Sequence, residues 1–373
     1  MRSVWKTFPW GILIPACLLC LLGLLGLQRA DELYGVSRLF QKQLIWMAIA
    51  IPVMLLMTVV SYRPLKQISP WLYVLHLVLL SVVLFMPAVN GSRRWIPLGV
   101  IDYQPSETAR LAFIMALGWY LMYRRSQKTL LGFLPPFLMT LIPLFLIFRE
   151  PDLGTAMLFL PILFAMLLVA GAKTSHLLGV IVVGVCLLPV LWLQMNAEQK
   201  SRVTTLFQQQ DGGIAPETDG YHLHQSKQVL ALGGLGGSFF AEEPVIDDVT
   251  AWALPAARTD FILCLIGERF GVLGILCLFL LYALIVGSGL RVALRTREPF
   301  GRLVSVGIVT MIATQALINA AMTVGLMPIT GITLPLCSYG GSSLLSTSLA
   351  LGLLMNIAMR PGYEVVQRQV WED

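Results

Sequence analysis

One carboxylate in this 373-residue chain stands where a polar reaction could meet an apolar boundary. Asp260 closes a long hydrophilic stretch, residues 194–259, and a hydrophobic run, residues 260–290, follows at once. A carboxylate so placed can take a proton from an attacking hydroxyl, general-base help that typically contributes about 10²–10⁴-fold. Asp260 or Thr259 can also cap a helix, bonding the free N–H groups of a first turn. The two roles are compatible when one oxygen stays free.

Other residues offer charge or hydrogen bonds. Glu107 and Arg110 lie three apart, share a helix face and can pair. Ionisable groups inside apolar spans usually line a cavity, so this pair either positions its helix or touches a polar ligand. Gln225, Ser226 and Lys227 precede Gly233-Gly234-Leu235-Gly236-Gly237. A glycine-rich backbone with a nearby lysine can hold phosphate oxygens, or can simply be a flexible loop. It is no Walker motif, because G-x-x-x-x-G-K-[ST] is absent. Ser342 and Ser343 open the last apolar run and read as N-caps; without a G-x-S-x-G elbow they do not read as nucleophiles. His222 and His224 have no matching Cys/His pair, and Cys17 and Cys20 sit inside an apolar run, where packing explains them better than zinc or redox chemistry.

The elements that must position these groups are membrane helices. The chain is 57% hydrophobic and 12% charged, with a mean hydropathy of +0.78. Soluble domains carry about 25% charge, so too few polar side chains remain to cover a water-facing surface. Long apolar runs between short polar turns predict an all-α polytopic bundle, whereas barrel strands would alternate over about ten residues. Ten spans are predicted: 9–27, 41–60, 70–89, 108–123, 134–149, 153–170, 176–193, 260–290, 303–326 and 342–359. The first is read as an uncleaved helix, since no A-x-A-like site precedes Gln28. The last-but-two is longer than a bilayer needs, so it tilts or rises above the membrane, and Gly267, Gly271 and Gly274 permit a bend or a close backbone approach.

Lys and Arg in the short loops gather on one side, with Arg2, Lys6, Arg63, Lys66, Arg291, Arg295 and Arg360 among them. The positive-inside rule makes that side cytoplasmic, with both termini, and turns the long loop and Asp260 outward. The net charge of +6 is this topology signal, so no nucleic-acid partner is expected. The outward loops are rich in Gly and Pro, whereas the inward loops are short and basic.

In order and spacing, several motifs resemble the SEDS family of shape, elongation, division and sporulation proteins across almost the whole chain. They are Asn90-Gly91 with Arg94-Trp95, Gln104-Pro105-Ser106-Glu107, Glu150-Pro151-Asp152-Leu153-Gly154-Thr155, Gln225-Ser226-Lys227, Thr259-Asp260-Phe261-Ile262, and Leu334-Pro335-Leu336 with 338–343. The resemblance implies one domain over residues 1–373: a ten-helix enzyme of the bacterial cytoplasmic membrane. It would polymerise lipid II into glycan strands at the outer face, release undecaprenyl pyrophosphate, and work with a class B penicillin-binding protein. The family's catalytic aspartate falls on Asp260. Lys227, Arg258 and Arg94 are expected to meet the leaving pyrophosphate, alone or with Mg²⁺ or Mn²⁺, and no organic cofactor is implied. Glu107, Arg110 and Asp152 are expected to shape the cavity, and Trp95, Gln225, Ser226, Ser342 and Ser343 to complete the substrate site. Arg202-Val203-Thr204-Thr205 and Tyr221 with Gln225-Ser226-Lys227 resemble the elongation branch.

Departures from the family pattern stand beside the proposed base. Ala256 and Arg258 replace a usual Glu and His, Arg110 replaces a Lys, and Glu268-Arg269 replaces a Glu-Glu pair. Two other classes fit the same composition: a carrier that moves a lipid-linked precursor, and a scaffold that keeps the family's shape without activity. A carrier predicts mid-bilayer charges and often inverted repeats; here the charges cluster at the outer edge and no repeat is evident.

Overall fold

The structure, a computed structural model, describes residues 8–35, 37–87, 92–97, 99, 102–123, 129, 131–207, 219–240 and 254–362. Its helices are α1 (Trp10–Tyr34), α2 (Leu39–Val59), α3 (Arg63–Val83), α4 (Pro105–Met122), α5 (Leu134–Arg149), α6 (Leu153–Val169), α7 (Thr174–Gln194), α8 (Ala197–Phe207), α9 (Asp219–Leu232), α10 (Ile262–Arg295), α11 (Pro299–Thr323) and α12 (Gly341–Met359). Each of the ten predicted spans coincides with one of them, and α8 and α9 are short helices within the polar stretch. Seven helices among the described residues are long and apolar enough to cross a membrane: α1, α2, α3, α5 with its 3-10 lead-in, α10, α11 and α12. The helices α6 and α7 are apolar but have shorter apolar segments, and α4 carries Glu107 and Arg110. Among the described residues, the all-α expectation holds apart from one two-residue antiparallel pair, β1 (Ile96–Pro97) with β2 (Asp102–Tyr103).

Burial separates a protein-facing centre from a lipid-facing shell. Helix α4 buries most of its length, and α11 and α12 are the most buried of the long spans. They pack among α2, α3, α6 and α10. Helix α7 exposes apolar side chains along most of its length, as expected of a face that meets hydrocarbon rather than water.

Helix boundaries depart from the apolar runs where polar residues find partners. Helix α1 continues past residue 27 to Tyr34, because Arg29 pairs with Glu268 (2.6 Å) and Glu32 (3.1 Å) and so satisfies charges on its last turns. Helix α10 begins at Ile262, not at Asp260, and Phe261 is its N-cap with no side-chain capping bond. The predicted capping by Asp260 or Thr259 is therefore absent; Thr259 Oγ1 instead donates to the Ala256 carbonyl (3.2 Å). The bend expected in this helix falls at Gly271, whose φ of 63° and ψ of −160° break the helix.

Candidate active site

Six parts of the chain meet at one end of the bundle around a cavity of about 390 Å³. The segment before α4 brings Arg94, Trp95 and Gln104, and the first turns of α4 bring Glu107 and Arg110. The α5–α6 turn adds Asp152 and Thr155, and α8 adds Arg202. Thr259 and Asp260, the 331–333 loop, and Tyr339, Gly340 and Ser343 close the remaining walls. The volume lies within the range of about 300–1,000 Å³ common to small-molecule sites.

Asp260 is held by its backbone, which leaves its carboxylate to the cavity. The Ala256 carbonyl, in the left-handed region at φ 54°, gathers the N–H groups of Thr259, Asp260 and Phe261. The carbonyls of 258–260 are then taken in turn: Arg258 by the Tyr339 N–H (3.0 Å), Thr259 by Ser338 Oγ, and Asp260 by Asn319 Nδ2 (2.8 Å). Gly331 stands beside the carboxylate at φ +73°, a backbone conformation that favours glycine, and a Cβ there would be in ordinary contact with Asp260 Oδ2 at 3.6 Å. Asp260 is partly exposed, and its exposure is to the cavity. Crowding by protein atoms removes water and raises its pKa to about 6, opposed by a Thr259 hydrogen bond and by the charges of Arg202 and Arg94, and assisted by Asp152.

The other acids of the cavity are committed. Glu107 is ion-paired with Arg110, whose Nη1 donates to Gln315 Oε1 (2.8 Å). Asp152 caps α6, accepting from Thr155 N and Thr155 Oγ1 (both 3.0 Å) and from Gln104 Nε2 (3.4 Å). The expected Glu107–Arg110 pairing holds, the Asp152 cap is an addition, and Glu107 and Asp152 both line the cavity. Arg94 is fixed to the α5–α6 turn, donating from Nε to the Glu150 carbonyl (3.1 Å) and from Nη2 to the Pro151 carbonyl. Beneath it lies Glu150, fully buried, with neither carboxylate oxygen hydrogen-bonded among the described residues. Burial first, and Asp152 second, push its pKa up to about 9, so it is neutral at pH 7.

Several expected site residues lie elsewhere. Arg258 does not line the cavity; its Nη2 donates to Asp31 Oδ1 (3.1 Å) and to the carbonyls of Ala30 (3.2 Å) and Gly35 (2.9 Å), tying the Asp260 turn to the end of α1. Gln225, Ser226 and Lys227 are likewise outside it. Gln225 is buried, and Ser226 Oγ donates to the Leu223 and Thr323 carbonyls within α9 and against α11. The following glycines are neither a phosphate cradle nor a loose loop. A Cβ at Gly233 would overlap the Gly267 carbonyl, and one at Gly237 would overlap the Arg269 carbonyl, while Ser238 N and Phe239 N donate to the Glu268 and Arg269 carbonyls (2.8 and 2.9 Å). These glycines let the segment pack into the kink of α10, the close approach predicted for Gly267 and Gly271. Ser342 is not a cap, since Gly340 is the N-cap of α12; it accepts from Gln104 N (3.2 Å) and donates to the Asp102 carbonyl (3.3 Å). Ser343 does line the cavity, with Oγ 3.0 Å from Thr333 Oγ1. The Asn90-Gly91 motif lies outside the described residues.

The structure adds Arg202, Gln104, Thr155 and Tyr339 to the site. Arg202 had been legible only as part of a branch pattern. Its signal, one of two cations with Lys200 in the short α8, does not say which way the side chain faces. Among the described residues no three His, Cys, Asp or Glu side chains converge as a metal cage.

Apolar side chains turned outward, helices of membrane-crossing length and an ionisable cavity at one end define a polytopic membrane protein with a polar site at its boundary. The chain belongs to the FtsW/RodA/SpoVE cell cycle protein family, whose model matches residues 9–362. It is 33% identical over 372 residues to stage V sporulation protein E of Bacillus subtilis, covering 96% of this chain and 99% of that protein. It is 31% identical over 355 residues to the peptidoglycan glycosyltransferase MrdB of Escherichia coli, covering 92% of each. Among solved structures, it matches a chain of a peptidoglycan synthase complex that coordinates polymerization and crosslinking (TM-score 0.81, 27% identity, 96% of this chain and 99% of that one). It also matches the rod shape determining protein RodA of Thermus thermophilus (TM-score 0.70, 25% identity, 96% and 99%).

Proposed function

We propose that this protein is a peptidoglycan glycosyltransferase that polymerises lipid II at the outer face of the bacterial cytoplasmic membrane, with Asp260 as general base. One observation carries the assignment of the base. Of the three acids lining the cavity, Glu107 is spent on Arg110 and Asp152 on Thr155, while Asp260 has no ion pair among the described residues and opens onto the cavity. A pKa near 6 keeps it ionised at pH 7 yet basic enough to receive a proton.

In this reading the acceptor's sugar hydroxyl sits against Asp260. Its oxygen forms the new bond to the donor's anomeric carbon from the face opposite the leaving group, and its proton passes to the Asp260 carboxylate. The bond to undecaprenyl pyrophosphate breaks with its electron pair on the pyrophosphate oxygen. Positive charge must meet that oxygen as the bond lengthens, and the cavity offers Arg94 and Arg202, whereas the charge of Arg110 is met by Glu107. Lys227 and Arg258 lie outside the cavity and take no part in this step. Mg²⁺ or Mn²⁺ remains part of the proposal: such ions use one or two carboxylates plus substrate phosphates rather than a full protein cage, and Asp260 and Asp152 are the carboxylates at hand. A bound cation would supply further neutralisation of the pyrophosphate.

The proposed partner is a class B penicillin-binding protein, supported by the likeness to a chain of a synthase complex that couples polymerization to crosslinking. The proposed orientation puts both termini in the cytoplasm, supported by the basic short loops.

The test uses purified protein, its transpeptidase partner and labelled lipid II, with and without EDTA and added Mg²⁺ or Mn²⁺. Asp260→Asn is expected to lower polymerisation by about 10²–10⁴-fold while labelled lipid II still binds. Polymerisation at the wild-type rate by that variant would remove Asp260 from the reaction.

A further inference from the structure

The end of the bundle opposite the cavity holds a second concavity, of about 500 Å³, between the start of α1 and the ends of α10 and α12. Arg291 and Arg295, one turn apart on α10, both line it and are exposed. Neither has a side-chain hydrogen bond or ion pair among the described residues. The remaining wall is largely apolar, with Trp10 at its rim. Gly11 sets its floor: a Cβ there would stand 2.7 Å from Ser288 Oγ, so α1 and α10 nearly touch.

Depth supplies the second argument. From Ile262 to Arg291, α10 rises no more than about 43 Å at 1.5 Å per residue, close to the about 40–45 Å of a bilayer with its headgroup layers. With Asp260 at one headgroup level, Arg291 and Arg295 stand at the other. Cations at a helix C-terminus are favourable by themselves, but that accounts for neither the concavity nor its apolar wall. Basic pockets between membrane helices recognise anionic headgroups, and indoles favour the same interfacial depth. We propose that this concavity binds an anionic phospholipid from the leaflet at that end, with its phosphodiester on Arg291 and Arg295 and its glycerol and upper acyl carbons against Trp10 and the apolar wall.

Native mass spectrometry of the full-length protein, titrated with phosphatidylglycerol, phosphatidylcholine or inorganic phosphate, tests this. Wild type is expected to retain phosphatidylglycerol over phosphatidylcholine. Arg291→Gln/Arg295→Gln is expected to bind phosphatidylglycerol roughly 10- to 30-fold more weakly, and Arg291→Lys/Arg295→Lys to keep most of the preference with an unchanged thermal midpoint. Equal retention by the glutamine variant would overturn the site, as would equal retention of the two lipids by wild type. Displacement of phosphatidylglycerol by millimolar phosphate would assign a soluble anion instead. A chain lacking residues 363–373 completes the set. If it alone binds the lipid, the natural occupant is the protein's own acidic tail, and the proposal fails.

Discussion

The turn at 255–261 and the segment at 225–240 look alike in sequence. Each contains small residues and carries a basic side chain next to a group able to do chemistry. Their fates differ. The first has its carbonyls bound by Tyr339, Ser338 and Asn319, so its side chain at 260 is presented to an open cavity. The second has glycines whose missing Cβ atoms are filled by the backbone of α10. What separates a site from a structural wedge is therefore which part of the backbone is satisfied, and by what, rather than composition.

The largest contrast should appear in the pH dependence of polymerisation. Asp260 must be ionised to accept a proton, so kcat/KM should fall about tenfold per unit below its pKa of about 6 and level off above about pH 7. Asp260→Asn should abolish that limb, and a profile unchanged by the substitution would break the assignment. Next comes the Arg258 tether. Arg258→Ala frees the turn from α1 and should lower kcat by about tenfold with KM nearly unchanged, since small misplacements of a reacting group are costly. A loss confined to KM would mean that Arg258 meets substrate after all.

Gly233→Ala should act in the opposite way, lowering stability by about 2 kcal/mol through overlap with the Gly267 carbonyl. The assay is thermal unfolding in detergent, and an unchanged midpoint would contradict the packing described. Lys227→Ala, outside the cavity, should change turnover by less than about twofold. A tenfold loss there would return the glycine-rich segment to the site.

The helices were legible because a bilayer leaves few ways to hide apolar runs, and all ten predicted spans coincide with helices. The bend near Gly271 was legible for the same reason, three glycines in an overlong span. Within the site, Glu107 and Arg110 were found because buried charge needs a nearby partner, and a partner three residues away is visible in sequence, whereas Asp152 was found only through the family motif that contains it. Arg258 and Lys227 were misplaced because the sidedness of a loop says which face a cation occupies, not which way it points. The partners of Arg258, at Asp31 and the end of α1, are more than two hundred residues away. Arg202, Gln104 and Tyr339 enter only when distant segments fold together.

Glu150 has a further consequence. Its carboxyl binds a proton in the folded protein up to about pH 9 but releases it near 4.5 when unfolded, so between those values the unfolded state holds fewer protons and stability declines as pH rises. At pH 7 the burden is on the order of 3 kcal/mol. Glu150→Gln should therefore melt higher than wild type at pH 8, with the gap closing towards pH 5; a gap that does not change with pH would contradict a buried acid. An ionised Glu150 would cancel the guanidinium of Arg94 from behind, leaving a departing diphosphate with less to lean on. By staying uncharged, this hidden acid lets the arginine spend its whole field on whatever enters in front of it.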